Sequence, residues 1–474
     1  MKYDLIIVGG GPAGFWAAYE IAKHNKSSKN KIKAIIIEKG KNINERTPKD
    51  VMQGFGGAGT FSDGKLHFTP VLSHEKMLHL YNENEYQLML DEIYETLKEF
   101  GVDSKIYPRN MEAAEQLVNK CKQHNIELFI RKTQHVGSDK LPIIIKKIEQ
   151  FILEGEVEIL CNNEVEDLII DEKDNSCLGV KLINGDNVLG EKVFLAPGRI
   201  GTIWLQKISK KYDLPFIYGK VEVGVRVEFP SVVLKKYSDE LYETVFKVYT
   251  PTYDDVVRTF CPCPNGYVAK EEYDDFVCVN GHSLSTHDSP NSNFALVTEI
   301  SLTEPLEDSN KYAKSIAKLA TTIGGGKPIV QRLGDLKRGR RSTRERINRS
   351  LVMSTLKEAV PGDISMALPA RVLINLKEGI EQLDKVLIGL NSDSTLLYAP
   401  EIKLRSTQIR TNEFLMTNIK GLYVGGDAAG LSGNIIGAMT NGLVVGKNVV
   451  EEYENILKEK NEEKQLKIQK KVKL

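Results

Sequence analysis

The residues best placed to do chemistry stand near the start of the chain. Gly9, Gly11 and Gly14 are spaced Gly-x-Gly-x-x-Gly, and an acid, Glu38, follows at the end of the next apolar run. Gly9 permits a tight turn, and Gly11 lets a pyrophosphate approach the backbone. Gly14 lets a helix pack closely on a strand. Pro12 and Ala13 lie between them, where a helix N-terminus would turn its amides and positive dipole end toward phosphate. Glu38 offers only acceptors, which suits ribose hydroxyls, and Lys39 stands beside it. Without its structural context such a motif is an ordinary glycine-rich turn.

That context is present. Residues 4–9 form a continuous apolar strand, a helix is expected from about Gly14 to His24, and 34–37 (Ala-Ile-Ile-Ile) form a second buried strand. Strand, glycine turn, helix, strand and acid together predict a dinucleotide site. The acid disfavours a 2′-phosphate, so NAD or FAD is expected over NADP, and this element alone does not choose between them. Two later stretches have the same texture. Residues 192–198 read as a buried strand ending in Ala-Pro-Gly, and 421–430 as a buried strand ending in Gly425-Gly426-Asp427. A helix rich in small residues is expected from about Ser432.

These segments in this order resemble the FAD-dependent oxidoreductases of the glutathione-reductase-like structural class. The resemblance implies FAD as the cofactor, with Gly198 beside it and Asp427 on a ribityl hydroxyl. It also implies backbone donors near Asn434 and Ile435 facing the N1–C2=O edge of the flavin, and an adenine contact by Val165. A closer resemblance covers nearly the whole chain. The segments 56–66 (Gly-Gly-Ala-Gly-Thr-Phe-Ser-Asp-Gly-Lys-Leu), 258–268, 291–296 and 331–335 are similar to the family of uncharacterised bacterial FAD-dependent dehydrogenases, which places Gly57 with the cofactor set. That family typically has Gly-Glu-Gly-Ala-Gly where this chain has Gly-Gly-Asp-Ala-Ala-Gly. Related disulfide reductases carry a redox cysteine pair after the first unit. No cysteine stands between Met1 and Lys120 here, so dithiol chemistry at that position is excluded.

The expected fold class is α/β: a discontinuous Rossmann-like FAD-binding domain, an antiparallel β-rich substrate domain and a helical insertion. The FAD domain is assigned 1–70, 151–215 and 396–455, the insertion 71–150, the substrate domain 216–395 and a charged tail, a frayed helix end, 456–474. Hairpin signals at Asn184-Gly185-Asp186 and helices near 308–322 and 371–384 fit this scheme. Gly324-Gly325-Gly326 follows a helix and precedes Pro328, so it is not a second nucleotide turn. NAD(P)H, if it is a transient electron donor, must then bind without its own Rossmann domain.

Four residues of the β-rich region are catalytic candidates. His282 ends a strand and could handle a proton; as a surface loop histidine it would do nothing. Cys261, in Cys261-Pro262-Cys263, could contact substrate, relay electrons with its neighbour or serve only a rigid turn. Arg332 and Arg340 belong to a basic stretch with Lys337, Arg338, Arg341, Arg344, Arg346 and Arg349, against Asp335 and Glu345 alone. They could clamp an anionic substrate or form salt bridges on a solvated face. No metal-ligand spacing appears, and a single Cys-x-Cys does not make a zinc site.

At 474 residues the chain exceeds one compact core. Its 64 basic and 64 acidic residues cancel, which argues against a nucleic-acid binder. The start Met-Lys-Tyr-Asp, without a leader pattern or an apolar run long enough to span a bilayer, gives a cytoplasmic expectation. The function expected is an FAD-dependent oxidoreductase moving hydride between flavin N5 and a small, anionic substrate held between the two domains. The alternatives are an isoprenoid-reductase-like or tRNA-modifying flavoprotein, and a non-catalytic flavin-binding sensor. Substrate, electron partner and oligomeric state are not legible.

Overall fold

The computed structural model describes every residue except 1, 48–49, 63, 71–76, 138, 274, 284–287, 301–307, 404–407 and 473–474, with side chains through 463. The chain divides into two units, Met1–Ser104, His135–Ile217 and Ser406–Leu474 forming the first, and Lys105–Gln134 with Tyr218–Arg405 the second.

The first unit is built on a seven-stranded sheet. Lys2–Val8 pairs in parallel with Ala34–Ile37 on one side and Asn187–Leu195 on the other. Leu5, Ile6, Ile7 and Ile36 are fully buried, as a strand covered on both faces requires. Burial of each such side chain contributes about 2 kcal/mol. Asn187–Leu195 does two jobs along one edge. Its beginning pairs antiparallel with Ser176–Leu182, turning at Gly185 (φ +94°), and its end pairs in parallel with Leu422–Val424. The helix Pro12–Ser27 starts after Gly11 with Pro at its first position, where a missing N–H costs nothing. Against it lies Ile435–Val472, at close quarters. A Cβ on Gly442 would meet the Ala13 carbonyl oxygen at 2.2 Å, and one on Gly446 the Ala17 carbonyl oxygen at 3.0 Å.

The second unit contains an eight-stranded sheet in the order 360–361, 329–332, 396–403, 221–230, 291–300, 256–263, 245–249, 127–129. All its pairings are antiparallel except that of Ile329–Arg332 with Val360–Pro361. A separate hairpin pairs Tyr267–Glu272 with Val277–His282.

Two of the expected domain boundaries differ from the observed units. The expected insertion 71–150 is divided: Met111–Lys122 and Glu127–Phe129 belong to the second unit, because the latter pairs with Val245–Tyr249. The expected return to the first domain at 396 comes too early. Leu396–Lys403 lies between Val221–Pro230 and Ile329–Arg332 in the second sheet, with Tyr398 opposite Arg226. The charged tail is the end of one 38-residue helix, Ile435–Val472. Of the expected turn at 62–65, Asp63 lies outside the described residues, as does most of the loop after His282. Among the described residues no helix is long and apolar enough to cross a membrane.

The packing of Pro12–Ser27 carries one buried acid, Glu20. Burial lifts its pKa to about 7; Lys23 and Lys447 oppose the shift, and Glu92 adds to it. A raised folded-state pKa stabilises the fold fully below the ordinary value of 4.5, and that contribution is lost as pH rises through about 7. Glu20→Gln is therefore expected to be more stable than the parent by about 2–3 kcal/mol at alkaline pH, the gap closing in acid. Urea unfolding at both ends of the range checks this; a pH-independent difference would contradict it.

Candidate functional site

Within the first unit, three glycine turns converge. Gly9 (φ +101°) turns the chain so tightly that a Cβ would meet the Ala196 carbonyl oxygen at 2.3 Å, and one on Gly14 would meet the Gly9 oxygen at 1.9 Å. Gly11 is different. A Cβ there would touch nothing nearer than the Gly57 Cα at 3.8 Å, so the space beside it is open. The helix starting at Pro12 has no side-chain cap and no acid in its first turn, which leaves its N-terminus uncompensated for an anion.

The other turns face the same place. Gly426 (φ +74°) lies against Ala13, a Cβ on it falling 3.4 Å from that methyl, and its amide donates to Asn441 Oδ1 at 2.7 Å. Gly198 (φ +65°) has open space where a side chain would be. Next to it, Arg199 Nε donates to Asp427 Oδ2 at 2.9 Å, so the ribityl candidate is already held by a cation. Asn434 Oδ1 accepts from the Gly437 amide at 2.9 Å, capping the helix that begins at Ile435. The Ile435 side chain runs under Gly59, 3.0 Å from a Cβ there, and lines a small apolar cavity with Pro12, Phe15 and Met439.

Glu38 is more constrained than the sequence implies. It is buried, its Oε2 accepts from the Gly10 amide at 2.8 Å, and its Oε1 from those of Gly40 and Gly54 at 2.8 and 2.9 Å. Those three bonds leave about one acceptor position for a ribose hydroxyl. Lys39 points to Glu164 at 3.9 Å, on the surface, and Val165 opens a strand opposite Leu182. The sequence reading missed Arg46. Its Nη1 donates to the Phe55 carbonyl and Thr60 Oγ1, and its Nη2 to the Asp50 and Gly57 carbonyls, so one guanidinium shapes the loop that sets Gly57 against Gly11. Burial lowers its pKa, and Glu38 and Asp50 oppose that. Its only signal was a lone arginine before a glycine-rich stretch.

The catalytic candidates all lie in the second unit but not together. Arg332 and Arg340 gather on Asp335, which is 1% exposed. Arg340 Nε bonds its Oδ1 at 2.9 Å, and Ser342 Oγ donates to Oδ2 at 2.8 Å. Burial pushes Asp335 upward, but Ser342, Arg340 and Arg332 together hold it below the usual carboxylate range. Arg338 pairs with Asp393 at 2.8 Å. Part of the basic stretch is thus paired, within itself at Asp335 and outside it at Asp393, while Arg340 stays about half exposed.

Cys261 and His282 belong to another neighbourhood, around a fully buried Arg226. The Cys261 carbonyl accepts from Arg226 Nη2 at 2.8 Å, and Gly281, next to exposed His282, abuts the same guanidinium. Arg226 also went unnoticed in the sequence, although Glu222, Arg226 and Glu228 recur at even spacing within a valine-rich strand. Glu222 holds Arg258 through two bonds of 2.5 and 2.6 Å, and Glu228 accepts from Tyr398, Thr355 and Asn291. Among the described residues no three or more His, Cys, Asp or Glu side chains are arranged to hold a metal ion.

Residues 220–404 match a family model described as FAD-dependent protein, C-terminal domain-like. An uncharacterised protein of Clostridium beijerinckii is 26% identical over 96% of this chain and 82% of its own length. Among solved structures, a formate oxidase is 12% identical with a TM-score of 0.48, over 96% of this chain and 99% of its own. Glycine oxidase from Bacillus cereus is 14% identical with a TM-score of 0.38, over 95% and 96%. The cradle of the first unit fits the cofactor named by the matched model: open space at Gly11 and Gly198, an uncapped helix N-terminus, and donors and acceptors at both ends. Cradle and matched domain together make FAD the cofactor of this chain.

The two motif glycines have separable roles. Gly11→Ala is expected to keep the thermal midpoint while weakening FAD binding at least tenfold, about 1.4 kcal/mol. Gly14→Ala should instead lose about 2–4 kcal/mol of fold stability, because the Gly9 carbonyl occupies the space. Flavin titration beside calorimetry checks both, and equal stability losses would contradict the assignment.

Proposed function

We propose that the protein is an FAD-dependent oxidoreductase moving hydride between flavin N5 and a small, anionic substrate. The reading is carried by the convergence of the three glycine turns on one uncapped helix N-terminus, in a chain whose residues 220–404 match an FAD-dependent domain. Bound FAD supplies the two-electron chemistry. The chain's residues do the rest. The amides at the start of Pro12–Ser27 take the pyrophosphate, and Glu38 offers its remaining acceptor position to a ribose. Asp427 orients the ribityl chain, exchanging part of its bond with Arg199.

At the substrate, His282 is the residue proposed to hold or deliver the proton that accompanies hydride, since it stands exposed at the end of its strand. The anionic character of the substrate is supported by the basic stretch, in which Arg340 keeps about half its surface while Asp335 fixes its direction. NAD(P)H is proposed as a transient electron donor, with no Rossmann unit of its own.

Full-length protein reconstituted with FAD should retain stoichiometric flavin through gel filtration. It should bleach in stopped-flow mixing with one member of a panel of small carboxylates, or with NADH or NADPH. His282→Ala should keep the flavin and lose at least tenfold in kcat. Protein that never retains FAD would end this reading; retained FAD with an unaffected His282→Ala would end only the assignment of the proton.

A further inference from the structure

Inside the second unit two cations share one carboxylate. Arg226 and Glu401 are both 0% exposed, with Nη1 and Oε2 3.8 Å apart, and Lys403 Nζ sits 2.6 Å from the other oxygen of Glu401. Arg258, two strands away, is matched by Glu222. Glu271, half-buried on the hairpin, lies within electrostatic reach of Lys403 rather than at the guanidinium of Arg226. Arg226 therefore keeps a share of uncompensated charge, and its Nη1 has no hydrogen-bond partner. An enclosed cation without a full counter-charge is unfavourable, so the pocket favours any neighbouring group that can become an anion.

Two such groups are thiols. Arg226 Nη2, which bonds the Cys261 carbonyl, also donates to Cys263 Sγ at 3.9 Å, and both cysteines act electrostatically on the guanidinium. The backbone is bent to produce this. Pairing slips between Gly224 and Arg226 on one strand and between Phe260 and Cys263 on its neighbour's partner. Cys261 is left-handed at φ +45°, a costly state for a residue with a side chain. The turn brings Cys263 Sγ to 3.7 Å from the Cys261 carbonyl oxygen. Gly281 closes the pocket: a Cβ there would meet Arg226 Nη2 at 2.1 Å and Cys263 Sγ at 2.5 Å. Cys261 is half-buried and Cys263 fully buried. Burial pushes the other four thiols, Cys121, Cys161, Cys177 and Cys278, all upward.

We propose that Cys261 and Cys263 form a thiol–disulfide redox pair, with Arg226 stabilising the reduced state. Toward a small disulfide RSSR, the more accessible Cys261 thiolate attacks one sulfur. The R–S–S–R bond breaks, one thiolate leaves and takes up a proton, and a mixed disulfide remains on Cys261. The Cys263 thiolate then attacks the Cys261 sulfur, forming the internal disulfide and releasing the second RSH. Two protein thiols are oxidised and RSSR is reduced to two thiols, two electrons and two protons having passed. This step does not rest on the flavin reading.

The test equilibrates full-length protein, as purified, in glutathione buffers of graded potential, followed by acid quench, differential alkylation and peptide mass spectrometry. Cys261 and Cys263 should lose alkylation together along one two-electron curve, while Cys121, Cys177 and Cys278 stay thiols. Cys263→Ser should stop with glutathione on Cys261. Arg226→Lys should shift the equilibrium toward disulfide, up to about tenfold. Two cysteines that remain thiols throughout, or that oxidise independently of each other, overturn the proposal. The parent titration decides this even if a variant fails to fold, and failure of FAD binding would leave it untouched.

Discussion

The closest backbone approach in the first unit is the constraint on which its site depends. Gly9, Gly14 and Gly442 each sit where a single carbon would strike a carbonyl oxygen at 1.9–2.3 Å. Strand Lys2–Val8, helix Pro12–Ser27 and helix Ile435–Val472 are pressed together through atoms of the main chain. Side chains flex; carbonyl groups in a sheet and a helix do not. This rigidity fixes the backbone on which the open space at Gly11 is built.

The second unit depends on a different economy. Its central strand, Val221–Pro230, alternates valine with Glu222, Arg226 and Glu228, and all three charged side chains are buried. Each is held by partners from other segments: Arg258 for Glu222, Glu401 and Asn293 for Arg226, Tyr398 and Thr355 for Glu228. Charges set this deep stabilise little in net terms but tolerate few alternative registers, since a slip by one residue would leave each without its partner. Burial pushes Glu228 upward while its three hydroxyl and amide donors resist, the balance expected of a carboxylate used as a structural node.

How much of this was legible follows from where the information lies. Glycine turns are written in single letters, because only glycine adopts the needed backbone or leaves the needed space, so the convergence of Gly9, Gly198 and Gly426 could be anticipated. Strand positions were readable from apolar runs for the same local reason. Partners far apart in sequence were not. Nothing in Leu396–Lys403 announces that its neighbours are 221–230 and 329–332 rather than the first sheet, so the domain boundary fell in the wrong place. Arg226 shows the same limit, since its carboxylate lies in another segment of the chain. Arg332 and Arg340 look like free cations until Asp335, only a few residues away, is seen buried beneath them. Lys39 likewise turns outward to Glu164, because the Glu38 carboxylate is satisfied by amides alone.

The double use of strand Asn187–Leu195 bears on how the molecule is made. Its first half acquires its hairpin partner as soon as it is synthesised, whereas its second half waits for Leu422–Val424. By then every strand of the second unit has left the ribosome. The first unit is thus begun first and finished last, with a parallel edge held vacant while about half of the chain is made. Such an edge is slow to close and prone to wrong pairing. Completion of the nucleotide cradle is in this sense a late checkpoint on the chain, passed only after the remainder of the polypeptide has been produced.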